Sequence, residues 1–509
     1  MQTNKVQSLG IRLSAASRLP LYRQLFDAVV ARIHDGTFPV GFRLPPTRAL
    51  ADELKTHRNT VVRAYEDLHA AGFVESTVGR GTFVADAAPP RAARAGAPPE
   101  RAPMPWSTLA TQAINNDTFL RAERFAHPVA AADAIHLNRM QPMHDLLPHE
   151  LLRRCIDRAL HEHGPDTLGY APTGGLPRLK ELIAKDLERQ GVPATADDIL
   201  ITSGSQQALD LLARALITRG DTFLVDEATY HGAVRLLAAA GARLVPVPCD
   251  EDGPDLDALE RLGRGAKGFY VMPNCQNPTG RRISLARREA LVEWSHKSGV
   301  PLLEDDYASD LHLDLKPPIA ALRTLDGEVL YLGTYSKKLI PALRIGYLLA
   351  PRALRGRLEL LKHAMDLGTS ALLQYALAEF LERGYLEAHL KKTLPRYRAR
   401  RDALHGALLK ALPSRVKWSV PETGLAMWLP LPEGPDPETV WLEGQKHGVL
   451  VGPGTLNGIT EAGQKGVRVT FCAEPPGRLI EGAKRLGRAF AAAERRSSAS
   501  KPTRQLEVV

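Results

Sequence analysis

Residues 85–105, ADAAPPRAARAGAPPERAPMP, divide the chain into two parts that must each build a core of their own. The stretch is alanine, proline and arginine, with Met104 as its one large apolar side chain. It cannot bury enough apolar surface to offset the entropy of ordering it, and its prolines keep it semi-extended. This composition predicts a linker over residues 85–110, whose arginines either stay solvated or touch phosphate nonspecifically.

Before the linker, Leu21, Leu25, Val29 and Ile33 recur at helical spacing. Gly36, Pro39 and Gly41 break that helix. A second helix is expected over 48–54 with Thr47 as its cap, and a third over 58–70, stopping at Gly72. Helix, short turn and helix make a helix-turn-helix. Val61, Tyr65 and Leu68 share the inward side of the third helix, and Asn59 and Arg63 the opposite one, open to a DNA major groove. VESTVGRGTFV at 74–84 reads as a hairpin with Arg80 at its tip, placed to reach phosphate or the minor groove. Charge alone decides little here: residues 1–84 carry 11 Lys and Arg against 7 Asp and Glu.

The net charge of +9 over 509 residues permits nucleic acid or anionic ligands as partners. The four cysteines are widely spaced without a Cys-x-x-Cys pair, so neither a disulfide framework nor a metal site is indicated. With no apolar leader and no run of about 20 apolar residues, a cytoplasmic protein without membrane contact is expected.

After the linker, short apolar runs alternate with helical stretches. Strands are expected at Ile199–Thr202, Thr222–Asp226, Arg243–Val247, 268–271, 301–304, 329–332 and 345–349, with helices such as 206–216 and 285–298 between them. The rhythm predicts an α/β fold with a largely parallel sheet. It changes near residue 385, which suggests a large domain over 111–384, a smaller C-terminal subdomain over 385–493 and a disordered polar tail over 494–509.

Several motifs in this part carry chemistry. GTYSKKLIPALR (333–344) sets a lysine after a strand, beside Thr334, Ser336 and Arg344. A lysine amine holds an aldehyde cofactor as a Schiff base, and the hydroxyls and arginine suit a phosphate. TSGSQQ (202–207) follows a strand and opens a helix, which makes an anion site or a routine turn. Tyr230 in DEATY could stack on a flat ring, and Asn277 in PNCQNPTG could donate to a phenolic oxygen or merely fix a turn. LEDDY (303–307) puts carboxylates at a strand end, either beside a pyridine nitrogen or in a solvated loop. Arg468 stands mid-strand in GVRVTF and needs an anion there, either a ligand carboxylate or a structural ion-pair partner.

The first part, from LYRQLFDAVVARIH to VESTVGRGTFV, closely resembles the winged helix-turn-helix of the GntR family of bacterial transcription regulators. The resemblance implies DNA binding through Arg48, Arg58, Asn59, Thr60, Arg63 and Arg80. The motifs of the second part, taken in order, resemble fold-type I aminotransferases. That resemblance implies pyridoxal 5'-phosphate on Lys337, with Asp305 on the pyridine nitrogen, Tyr307 and Asn277 near the ring oxygen and Tyr230 stacked. It assigns Ser203, Gly204, Ser205, Thr334, Ser336 and Arg344 to phosphate, and Arg468 to a carboxylate. Tyr170, in LGYAPTGGLPRLKELIA, matches a tyrosine that comes from a partner subunit, which implies a homodimer. A GntR-type head joined to such a body is the architecture of MocR-type regulators. One departure is Gln141, where aminotransferase-like chains usually carry glycine before the proline. The expectation is a transcription regulator whose body senses an amine, an amino acid or the cofactor itself. An aminotransferase with a DNA-binding appendage, or a regulator whose body binds no cofactor, are the other readings.

Overall fold

The computed structural model describes residues 9–77, 81–86, 104 and 109–499, apart from 12, 15, 16, 18, 112, 127, 130, 309, 315–318 and 432. The chain divides into two compact units, 1–105 and 106–509.

In the first unit the apolar stripe forms α1 (Leu21–His34), which buries Leu25, Phe26 and Val29. After β1 (Arg43–Leu44) come α2 (Thr47–Glu53) and α3 (Arg58–Ala70). Thr47 is the first residue of α2, not its cap: Pro46 holds the cap position, and its fixed φ starts the helix without a side-chain hydrogen bond. The turn between the helices places Lys55 in the left-handed region at φ 51°. Helix α3 buries Val61, Ala64, Tyr65 and Leu68, and the Tyr65 hydroxyl donates to the Pro45 carbonyl at 2.9 Å. Arg48, Arg58, Asn59 and Arg63 are exposed and Thr60 is half-buried, so one face of α3 is apolar and the other is open. Strands β2 (Val74–Thr77) and β3 (Gly81–Val84) close an antiparallel sheet in the order β1-β3-β2. The hairpin tip with Arg80 lies outside the described residues.

In the second unit a helix, Asp117–Ala126, precedes β4 (Ile135–His136). Its main sheet holds β5 (Ile199–Thr202), β6 (Thr222–Asp226), β7 (Arg243–Val247), β8 (Phe269–Val271), β9 (Leu302–Asp306), β10 (Leu330–Thr334) and β11 (Gly346–Leu349). The order is β5-β11-β10-β9-β8-β6-β7; β11 runs antiparallel to both neighbours and the other pairs are parallel. Strand alternation covers both faces. Leu224, Phe269, Val271 and Leu302 pack with Leu291 and Trp294 on one side, while Val225, Tyr270 and Leu303 pack with Leu209 and Leu212 on the other.

A second sheet joins β12 (Ala426–Pro430), β14 (Gly452–Pro453) and β15 (Gly466–Thr470) in the order β12-β15-β14, and β13 (Val449–Leu450) pairs in parallel with β4. Helices Tyr385–Ala411 and Pro476–Ala499 pack beside it through Leu404, Leu408, Leu479 and Leu486. Phe125, Ile135, Leu137 and Leu146 share this core, so the stretch ahead of the main sheet closes the smaller one. The expected tail begins later than residue 494: the last helix runs to Ala499, held by ion pairs from Arg415 to Glu494 and, at 2.8 Å, from Arg496 to Glu443. Residues 500–509 lie outside the described residues. Among the described residues, no helix is long and apolar enough to cross a membrane.

Leu50 is fully buried in the core of the first unit. Leu50→Ala should cost that unit about 2–5 kcal/mol. Because the two cores are separate, urea unfolding should show an early transition for the first unit and an unshifted one for the second.

Candidate functional site

The site grows from the ends of two parallel strands. The β9–β10 register sets Leu332 beside Asp305 and Gly333 beside Asp306. Side chains alternate along β9, so its three acids part company. Glu304 accepts the backbone N–H groups of Leu322 and Arg323 at 3.0 and 2.9 Å. Asp306 accepts the Tyr331 hydroxyl at 2.7 Å and Asn274 Nδ2 at 2.8 Å. Asp305 points the other way and accepts the Tyr270 hydroxyl at 2.6 Å, while its buried Oδ1 has no partner. All three are buried, which removes the solvated-loop reading. Burial raises the pKa of Asp305 to about 6, against the opposing pull of the Tyr270 hydrogen bond.

Two adjacent lysines follow β10 and take opposite roles. Lys338 is buried with its ammonium held by Asp310 and, at 3.4 Å, by Asp186. Burial opposes that charge, but the two carboxylates outweigh it and hold the pKa well above the ordinary lysine value. Lys337 has no carboxylate within ion-pair distance among the described residues and donates to the Met140 carbonyl at 2.7 Å. Burial lowers its pKa, and the charges of Arg468 and Arg344 add to the effect. A larger share of its amine is therefore free of its proton and able to act as a nucleophile.

Lys337 opens into a cavity of about 380 Å³ lined also by Asp305, Tyr230, Tyr307, Asn277 and Arg468, with Thr334, Ser336, Ser205 and Arg344 beside them. The Thr334 hydroxyl donates to Ser336 Oγ at 3.1 Å, and the Tyr307 hydroxyl to Cys275 Sγ at 3.2 Å. Arg468, buried within β15, donates to Asn277 Oδ1 at 2.9 Å and to the Asn138 carbonyl at 3.3 Å, and its Nε is buried without a partner. No carboxylate of the described residues pairs with it, so it is not half of a structural ion pair. Gly204 sits at φ +84°, and a Cβ there would come within 2.7 Å of the Arg344 guanidinium. Glycine thus admits the arginine to the start of helix Ser205–Leu216, whose first turn has no side-chain cap and presents backbone N–H groups as an anion site.

Three of the expected residues do not line the cavity. The Ser203 hydroxyl faces Asp366 and Thr369 at 3.3 and 3.4 Å, Gly204 acts through the space it leaves, and Tyr170 is 83% exposed. Among the lining residues that the sequence reading did not assign to the site are the cation Arg139 and the imidazole of His231. His231 follows Tyr230 with no motif of its own; burial, then Arg468 and Arg235, push its pKa down to about 3. Arg139 lies in NRMQP, near the departure at Gln141.

The lining carries Lys337, Arg139, Arg344 and Arg468 against the single carboxylate of Asp305. Such a cavity calls for an anionic occupant, and the unpartnered Asp305 Oδ1 for a buried N–H. A phosphorylated pyridine aldehyde supplies both groups. Residues 136–486 match the family described as aminotransferase class I and II. The chain belongs to this family. Residues 21–84 match the bacterial regulatory proteins of the gntR family, so an aminotransferase-like body is fused here to a GntR helix-turn-helix, the MocR-type arrangement of a DNA-binding regulator. The chain is 32% identical to the uncharacterized HTH-type transcriptional regulator YisV of Bacillus subtilis, over 87% of this chain and 90% of that one. It is 31% identical to the probable rhizopine catabolism regulatory protein MocR of Rhizobium meliloti, over 94% and 95%. Among solved structures, the α-aminoadipate aminotransferase LysN of Thermus thermophilus, complexed with N-(5'-phosphopyridoxyl)-L-leucine, superposes with TM-score 0.69 at 29% identity. That match covers 77% of this chain and 99% of LysN.

Two outcomes separate the roles of these groups. Among the described residues, Lys338→Ala leaves Asp310 without its cation and Asp186 with only Arg189 as a cation, at 3.4 Å, and should destabilise the fold by about 3–5 kcal/mol, whereas Lys337→Ala should leave the melting temperature unchanged or raised. In the cofactor-free chain the folded pKa of Asp305, about 6, lies above the ordinary aspartate value of 3.8, so the folded state holds that proton more tightly. Wild-type stability should therefore fall relative to Asp305→Asn as pH rises from 3.8 through about 6, then run parallel to it. Urea midpoints measured across that range check this.

Proposed function

We propose that the chain is a cytoplasmic, homodimeric transcription regulator that holds pyridoxal 5'-phosphate on Lys337 and answers to an amine or amino acid. One observation carries this reading: an amine with a lowered pKa and no counter-ion shares a cavity with an unpartnered aspartate oxygen and an unpaired arginine. When bound, the cofactor supplies an aldehyde that exchanges between amines and a ring that accepts electrons. Asp305 would hold the proton of the ring nitrogen, Tyr230 would lie against the ring, and Asn277 and Tyr307 would face its oxygen. Thr334, Ser336, Arg344 and the first N–H groups of helix Ser205–Leu216 would hold the phosphate. Arg468 would take the carboxylate of an amino-acid effector, its Asn277 bond fixing the guanidinium in place.

The head supplies the output. Arg58, Asn59 and Arg63 project from the open face of α3, with Arg48 and Thr60 beside them, as a major-groove reader requires. The Arg63 guanidinium rests 4.0 Å from the Tyr22 ring, which pre-orders it. Dimerisation is supported by Leu168 and Tyr170, which stand 76% and 83% exposed in a single chain. An effector amine that takes the place of Lys337 would favour one of two dimer arrangements and so alter how paired heads meet DNA. Transamination is the second reading, favoured by the presence of Lys337, Asp305 and Arg468 together. A 33% identity over 70% of this chain to an aromatic-amino-acid aminotransferase of Thermococcus litoralis supports it too. The head, for which an enzyme alone has no use, places regulation first.

Gel shifts with the chain's own upstream DNA should show a retarded band that Arg58→Ala weakens at least about tenfold, the cost of one charge-assisted contact or more. Rapid turnover of an amino donor with no shifted band would reverse the order of the two readings. Pyridoxal phosphate added to the cofactor-free protein should produce a visible absorption band. Primary amines should move that band, and Arg468→Ala should weaken the response to amino acids more than to simple amines.

A further inference from the structure

Beside the cavity just described lies a second one of about 300 Å³, between the helices Asp117–Ala126 and His231–Ala239 and the loop around Leu456. The two cavities share one wall residue, His231. Nothing in the proposed regulator uses this second space, yet its lining is not that of a packing defect. Its lining includes Arg121 and Arg235, both half-buried, and neither is within ion-pair distance of a carboxylate among the described residues. Among the described residues Arg121 donates to the Gly458 carbonyl alone, at 3.4 Å. The one acidic lining residue, Asp117, is exposed at the rim. Thr455 Oγ1 and His231 Nδ1 are buried without hydrogen-bond partners, and both residues line the space. Asn116, Thr118 and Asn457 add polar groups, and the rest of the lining is apolar, chiefly Val234, Leu244 and Ile459.

Unpaired half-buried guanidinium groups cost solvation that an anion restores, and two orphaned polar atoms cost hydrogen bonds that a ligand or water restores. Apolar walls around them favour a ligand with a hydrocarbon body over a bare inorganic anion. We propose that this cavity is a second ligand site, which takes a small carboxylic acid with an apolar body, its carboxylate on Arg121 and Arg235. Because the His231 ring lies 5.1 Å from that of Tyr230, an occupant presses on the wall against which the ring of a bound cofactor would rest. The site is therefore placed to adjust the first cavity as well as to bind.

Calorimetric titration of the cofactor-free full chain with 3-phenylpropionate tests this independently of the cofactor reading, since the acid carries no amine. Wild type should bind, Arg121→Ala and Arg235→Ala should each weaken binding about tenfold or more, and Arg468→Ala should leave it within about twofold. Leu456→Trp, which fills the space and keeps both arginines, should abolish it and guards against an arginine variant that fails to fold. Loss of binding in Arg468→Ala with Arg235→Ala unaffected would place the acid in the first cavity and overturn the proposal. Absence of heat with wild type at millimolar acid would overturn it too.

Discussion

A cation kept from water without a counter-ion is the constraint on which this body is built. Lys337 and Arg468 both sit in the same cavity, and neither has a carboxylate from the described residues to neutralise it. In an apolar interior that arrangement costs free energy, and it persists only where another anion completes it. The neighbouring Lys338 shows the alternative in the same chain: a lysine more deeply buried, but clasped by Asp186 and Asp310. The two side chains differ by one position and by the side of the strand end from which they leave.

The same parity runs through the acids. Glu304 and Asp306 are tied to backbone and side-chain donors on one side of β9, and of the three acids Asp305 alone lines the cavity, where its Oδ1 has no partner. The parallel register then sets Asp305 level with Leu332, just ahead of the turn that carries Thr334, Ser336 and Lys337. Strand ends, where parallel sheets splay and loops diverge, are where such groups can converge without disturbing the apolar layers on either face. Arg468 arrives from the other sheet, so the cavity lies between two cores and records how they close.

Much of this was legible in the residues. The three helices of the head follow from period and punctuation, and α3 matches its expected bounds of 58–70. The strands of the main sheet follow from short apolar runs, though β9 extends through Asp305 and Asp306, because buried carboxylates with hydrogen-bond partners behave as strand residues and read as loop. Long-range partnership was not legible. That Arg468 lacks an acid, that Phe125 and Ile135 join a core near the other end of the chain, and that His231 stands between two cavities are facts of tertiary packing without local pattern. Thr47 failed as a cap because Pro46 already occupied the position.

The central claim is that one lysine of the adjacent pair carries the cofactor, and the difference in their environments decides which. Incubation with pyridoxal phosphate, reduction with borohydride, digestion and mass spectrometry locate the label. The account predicts a phosphopyridoxyl group on Lys337 and none on Lys338. A label on Lys338, or protein left unlabelled at saturating cofactor, would contradict it.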